Sequence, residues 1–108
     1  MERDLAFEET VVRYSPYLEF FDIDKKVRYL GYLMSLTASE YEILFALVKS
    51  GGFHDKSSIC ELLGKETKST HKSVAVHISA INRKAVEIGG RKIITTDRKK
   101  GYSVAEYV

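Results

Sequence analysis

A chain of 108 residues, 44% hydrophobic and 30% charged with a single Pro, is sized and composed for one compact domain, not a disordered tail. Its longest nearly apolar run, Tyr29 to Leu36, falls far short of the roughly 20 residues of a membrane helix. The charged start Met1-Glu2-Arg3-Asp4 is not read as a signal peptide, and the lone Cys60 excludes an internal disulfide and a Cys-based zinc site, which fits a reducing cytoplasm. The net charge of +2 conceals a division: residues 1–54 carry 6 Lys/Arg against 9 Asp/Glu, residues 55–108 carry 11 against 6, and residues 65–104 carry 10 against 3. Clustered cations on a nearly neutral chain point to a polyanionic partner, with an unevenly charged solvated surface as the alternative.

The first third reads as strands. Val11 to Tyr14 is broken by Ser15-Pro16, Tyr17 to Asp24 is aromatic and partly alternating, Lys25-Lys26 is a turn, and Val27 to Leu30 resumes before Gly31 marks a bend or bulge ahead of Tyr32-Leu33-Met34. This predicts a small antiparallel meander of three or four strands over about residues 7–36, its tyrosines and phenylalanines forming sheet core. The period then changes. Thr37-Ala38-Ser39-Glu40 is a capping box, followed by Tyr41, Leu44, Phe45 and Val48 at helical spacing and a stop at Gly51-Gly52. Asp55 opens a second helix with Ile59, Leu62 and Leu63 as its buried stripe and Gly64 as its end. A polar stretch, Lys65 to Thr70, leads to a third helix ending near Gly89-Gly90. Residues 91–107 form a hairpin: Lys92 to Thr96, the turn Asp97 to Gly101, then Tyr102 to Tyr107.

The third helix is the informative element. Val74, Ile78, Ile81 and Ala85 share one face and must meet the core. The opposite face holds Ser69, Lys72, Val76, Ser79, Ala80 and Arg83, with no carboxylate among them. A helix that only faces water mixes Glu with Lys. One that enters a DNA major groove needs small residues for close approach, cations for phosphates and guanines, and an apolar group for thymine methyls, which Val76 supplies. Three helices followed by a hairpin tipped by Arg98-Lys99-Lys100 make a winged helix-turn-helix of the α+β class, its tip meeting phosphates or a minor groove.

The residues also resemble a family, the OmpR/PhoB-type DNA-binding domain of bacterial response regulators, over about residues 17–104. Its carriers are Leu36 to Leu44 (LTASEYEIL), Val74 to Lys84 (VAVHISAINRK) and Thr95 to Tyr102 (TTDRKKGY). The resemblance implies cytoplasmic, sequence-specific binding of double-stranded DNA by a transcriptional regulator of a two-component system. Lys72 matches a position that approaches DNA, Val76 and His77 a pair reaching a base methyl and a phosphate, Arg98 a wing arginine at the minor groove, and Thr96 a wing threonine on the backbone. Gly101 and Tyr102 match residues that shape and anchor the wing. Ser73, Ser79, Ala80, Arg83, Lys84, Lys99 and Lys100 complete the expected DNA-facing set, and RNA polymerase and a second copy of the chain are its further candidate partners.

The departures are specific. Ala75 replaces the usual Asp, Ser79 and Ala80 sit where many members carry Arg, and Asn82 also stands where Arg is frequent. Gly64 to Thr70 lacks the Trp-Gly and most of the aromatic loop that meets polymerase in some activators. No receiver domain precedes these elements, as it would need on the order of 100 residues of α/β pattern, so the chain reads as an orphan regulator or a piece of something longer. His54, His71 and His77 lack metal-ligand spacing, Cys60 has no His at nucleophile spacing, and neither Gly-Gly pair leads into a phosphate-binding pattern, so no catalysis, metal or cofactor is expected. Two rival classes remain: a winged-helix protein-interaction module, and the DNA-binding head of a larger or membrane-tethered regulator.

Overall fold

The computed structural model describes residues 11–21, 24–64 and 68–108, of which residues 11–12 and 68–71 are described by backbone alone. Four short strands, β1 (Val11–Ser15), β2 (Leu18–Phe21), β3 (Lys26–Tyr29) and β4 (Tyr32–Met34), form an antiparallel meander in chain order. The register pairs Leu18 with Tyr29 and Phe20 with Val27, and Val27 with Met34, which puts these five side chains on one buried face. The other face carries the paired row Arg13, Glu19, Arg28 and Leu33. One sequence expectation shifts here and the bend expected at Gly31 is found. The turn lies at Asp24-Lys25, with Lys26 already in β3, and Gly31 belongs to the tight β3–β4 hairpin turn. Of the aromatic residues assigned to the core, Phe20 and Tyr29 are buried, but Tyr14, Tyr17 and Tyr32 are exposed, because only one face of the sheet is covered and Tyr17 and Tyr32 sit at turns. Residues 1–10, 22 and 23, part of the expected strand region, lie outside the described residues.

Helix α1 (Ala38–Ser50) begins as expected. Thr37 Oγ1 accepts from the Glu40 amide at 3.2 Å and Glu40 Oε1 accepts from the Thr37 amide at 3.0 Å, so two otherwise orphaned donors are satisfied. Its apolar side is wider than the expected stripe. Tyr41, Ile43, Leu44 and Leu47 are buried, while Phe45 and Val48 are half-buried, because both other helices and the second strand of the C-terminal hairpin cover it and the Phe20 ring of β2 packs on Tyr41 and Phe45. Helix α2 (Lys56–Leu63) is capped by Asp55, whose carboxylate accepts from the Ser58 amide at 2.8 Å. Its buried pair is Ile59 and Cys60. Leu62 is 43% exposed, contrary to expectation, since eight residues present only a narrow contact to α1 and α3.

Helix α3 (Lys68–Gly89) starts inside the stretch expected to be a loop, so residues 68–70 are helical; residues 65–67 lie outside the described residues. Val74, Ile78, Ile81 and Ala85 are all buried, as their spacing requires. Gly89 is helical, with the stop one residue later. A Cβ there would lie 2.6 Å from Leu30 Cδ1, so its absence lets the β3–β4 turn pack on the helix end. The hairpin β5 (Ile94–Asp97) and β6 (Gly101–Val104) is shorter than expected and closes the core through Ile93, Ile94 and Ala105. The expected order of a meander, three helices and a hairpin is the order found.

Candidate nucleic-acid interface

The core stripe of α3 dictates what points away from it. Lys72, Val76, Ser79 and Arg83, at spacings of three and four residues, form the exposed stripe, with Val76 67% exposed. Among the described residues no ion pair engages Lys72 or Arg83. Ser73, His77, Ala80 and Lys84 lie half-buried beside this stripe. Lys84 departs from its expected place on DNA: its Nζ is 2.6 Å from Glu40 Oε1 and its side chain keeps only 26% exposure, so its charge is committed to the start of α1. Burial raises the Glu40 carboxyl, but the hydrogen bonds from Lys84 and the Thr37 amide, with the charges of Lys84 and His77, outweigh it and hold the pKa below the ordinary carboxylate value. His77 thus sits within electrostatic reach of this pair, at the edge of the exposed stripe. The outward face is also not free of carboxylates. Glu87, one turn beyond Arg83, is exposed, because the helix runs past the last residue counted in the expected stripe.

The wing is built to hold its tip in one shape. Asp97 Oδ1 accepts from the amides of Lys99 at 2.8 Å and Lys100 at 3.0 Å, and these bonds keep its carboxyl below the usual range. The carboxylate thereby orders a turn from which Arg98, Lys99 and Lys100 all project, exposed. Lys100 Nζ lies 5.5 Å from the ring centroid of Phe53, whereas among the described residues no ion pair engages Arg98 or Lys99. At the base of the tip, His54 and Tyr102 exchange both backbone hydrogen bonds at 2.8 Å. Gly101, at φ 102°, passes so close that a Cβ would lie 2.3 Å from the His54 carbonyl oxygen. Gly101 and Tyr102 therefore anchor the wing. His54 is structural, its ring nitrogens bonded to Ser58 Oγ at 2.7 Å and the Gly51 carbonyl at 2.9 Å.

Between α3 and the wing runs an open groove of about 500 Å³, lined by Ser79, Arg83, Val86 and Glu87 on the helix and by Lys92, Thr96 and Tyr102 on the hairpin. It joins the exposed stripe to the wing strands, so Ser79, Arg83 and Thr96 share one surface. Its floor holds a residue whose role the sequence reading missed. Asn82 is 8% exposed; its Oδ1 accepts from the amides of Ile93 at 3.0 Å and Ile94 at 2.9 Å, and its Nδ2 donates to the Ile94 carbonyl at 2.9 Å. The sequence reading placed Asn82 where the resemblance puts an arginine. The signal for burial was its place four residues after Ile78 and beside Ile81, at the edge of the core stripe. The side chain of His71, one of the three histidines read as lacking metal-ligand spacing, lies outside those described. Among the described residues no three His, Cys, Asp or Glu side chains are grouped to hold a metal, and no helix is long and apolar enough to cross a membrane.

Comparison with known proteins settles the family. The family described as transcriptional regulatory protein, C terminal, matches residues 26–104. The chain belongs to this family. It is an OmpR/PhoB-type effector domain, a DNA-binding domain of transcription regulators and not an enzyme. No curated protein sequence matches the chain. Among solved structures, it is similar to a streptococcal protein from a family described as redox sensors evolved from two-component response regulators, with 25% identity over 92% of the chain and a TM-score of 0.75. The chain spans 44% of that protein's length. It is also similar to the C-terminal effector domain of BfmR from Acinetobacter baumannii, at 27% identity and a TM-score of 0.63, covering 95% of this chain and 94% of that one. The Klebsiella pneumoniae RstA DNA-binding domain, solved in complex with the RstA box, shares the fold at 23% identity and a TM-score of 0.70, covering 89% of this chain and 97% of that one.

Proposed function

We propose that the effector domain binds double-stranded DNA sequence-specifically, as part of a bacterial transcription regulator working in the cytoplasm, with α3 in the major groove and the wing on the adjacent minor groove or backbone. The observation that carries this reading is the set of exposed cations on α3 and the wing tip, Lys72, Arg83, Arg98 and Lys99, which no ion pair engages among the described residues, with Arg83 lining the groove between the two elements. Uncompensated cations on a surface repel one another and are best accounted for by a polyanion that neutralises them. Arg83 has the fork of donors suited to a guanine edge, Val76 and Ala80 the apolar surface suited to a thymine methyl, and Ser79 the small size that lets the helix approach. Lys72, Ser73, His77, Thr96, Lys99 and Lys100, exposed or half-buried on α3 and the wing, are assigned to phosphates. Arg98 suits a narrow minor groove, because a guanidinium is more weakly hydrated than an ammonium and loses less on entering it. Lys84 is not part of this surface. The experiment is a titration with random duplex DNA over a range of salt. Affinity falls with a log–log slope of about −0.9 per phosphate contacted; no binding at low salt, or binding indifferent to salt, overturns the reading in favour of a protein-interaction module.

A further inference from the structure

We infer that Asn82 is a positioning residue for DNA recognition: its carboxamide sets the angle between α3 and the wing, and so couples what the two elements contact. The inference rests on the DNA-binding reading and deepens it.

The hairpin is held at both of its strands. Its far strand, β6, is tied to the segment before α2 by the His54–Tyr102 backbone pair. Its near strand, β5, is tied to α3 by one side chain, which makes three hydrogen bonds to two consecutive residues, Ile93 and Ile94, at the point where the chain enters the wing. Two acceptor bonds and one donor bond to adjacent peptide groups fix orientation as well as distance. A neutral carboxamide supplies both kinds from one side chain. Ile93 and Ile94 are 0% and 1% exposed, so apolar burial holds this strand to the core whether or not the carboxamide is present. Burial is non-directional and fixes no angle. The carboxamide adds the direction. Arg83 follows Asn82 immediately on α3, and Arg98 lies four residues beyond Ile94, so the bracket sits between the residue proposed for the major groove and the one proposed for the minor groove. A shift of the wing about its base moves Arg98 relative to Arg83, and two contacts that cannot be made together lose the benefit of being linked.

Asn82→Ala removes all three bonds, and Asn82→Asp keeps the two acceptor bonds but sets a carboxylate oxygen against the Ile94 carbonyl. The test is a double-mutant cycle with Arg98→Ala on duplexes whose core site is flanked by A·T or by G·C pairs. In the wild-type background Arg98→Ala lowers affinity for the A·T-flanked duplex. In the Asn82→Ala background the same change costs several-fold less, a coupling of about fivefold or more, with Asn82→Asp intermediate. A purely structural role lowers the folded fraction and scales both duplexes equally, leaving the A·T to G·C ratio unchanged; that result overturns the inference. Residual dipolar couplings of the free protein give a readout without DNA: the amides of β5 and β6 reorient relative to α3 in Asn82→Ala and Asn82→Asp, and unchanged couplings in both variants also overturn it. If the wild type binds no DNA, the DNA reading falls and the coupling inference with it, while the dipolar couplings still report on the bracket itself.

Discussion

Two basic regions of this molecule are treated in opposite ways. On the outer face of the N-terminal sheet, Arg13 and Arg28 flank Glu19 across three strands, at 2.8 Å and 3.6 Å from its oxygens. On the outward face of α3 and at the wing tip, Lys72, Arg83, Arg98 and Lys99 have no such partner among the described residues. The same residue types thus mark a carboxylate-paired patch on the sheet and, among the described residues, a set without ion pairs on α3 and the wing tip. Glu87 is the exposed carboxylate on the outward face of α3, one turn beyond Arg83, while two other carboxylates near these elements are already engaged. Glu40 is spent on Lys84 inside the fold, and Asp97 is spent on the backbone of the wing turn. The difference teaches that a cation's partner is a better guide to its role than the charge itself.

The adjacent pair Lys84 and Arg83 gives the sharpest way to break this comparison. Lys84→Met leaves Glu40 buried without its counter-ion and is expected to cost about 2–3 kcal/mol of stability, below the range of a fully buried pair because Lys84 keeps some exposure. DNA affinity per folded molecule stays unchanged; denaturant unfolding and a titration on the same sample measure both. Arg83→Ala reverses the pattern. It costs about 1–3 kcal/mol of binding and relaxes preference at one base pair, with stability within about 0.5 kcal/mol of wild type. Arg13→Ala should do neither, and a loss of affinity there as large as for Arg83→Ala would erase the distinction between the two faces.

The acid limb of stability sharpens the same contrast. Because the folded Glu40 carboxyl lies below its ordinary value, its contribution is fully present above the unfolded carboxylate pKa of about 4.3 and is lost as pH falls through the folded value. Melting temperatures taken from neutral pH downward should therefore fall less steeply in Glu40→Gln than in the wild type, once normalised to their neutral values. The smallest expected effect is at the wing tip. Lys99→Ala should reduce the salt slope of DNA binding by about 1, and Lys100→Ala by less, since its ammonium already rests over the Phe53 ring.

Much of this was legible in the sequence, for local reasons. The Thr37–Glu40 capping box and the 3.6-residue spacing of Val74, Ile78, Ile81 and Ala85 depend only on neighbours in the chain, and both were found as read. What was hidden depended on residues distant in sequence. Lys84 looked like a DNA-facing cation because its partner, Glu40, lies 44 residues earlier. Asn82 looked like a vacant base-reading position because its partners, Ile93 and Ile94, belong to the next element. Tyr14, Tyr17 and Tyr32 were assigned to a core that the one-sided sheet does not offer them, and the outward stripe was ended before Glu87.

The most direct measurement of the central claim is a backbone-amide chemical-shift titration of the whole chain with a duplex of random sequence at low salt. The account predicts progressive shifts along Lys72, Val76, Ser79 and Arg83 and across Arg98 to Lys100, with Arg13, Glu19 and Arg28 unmoved. Shifts concentrated on the sheet, or spread evenly over both basic regions, would contradict it.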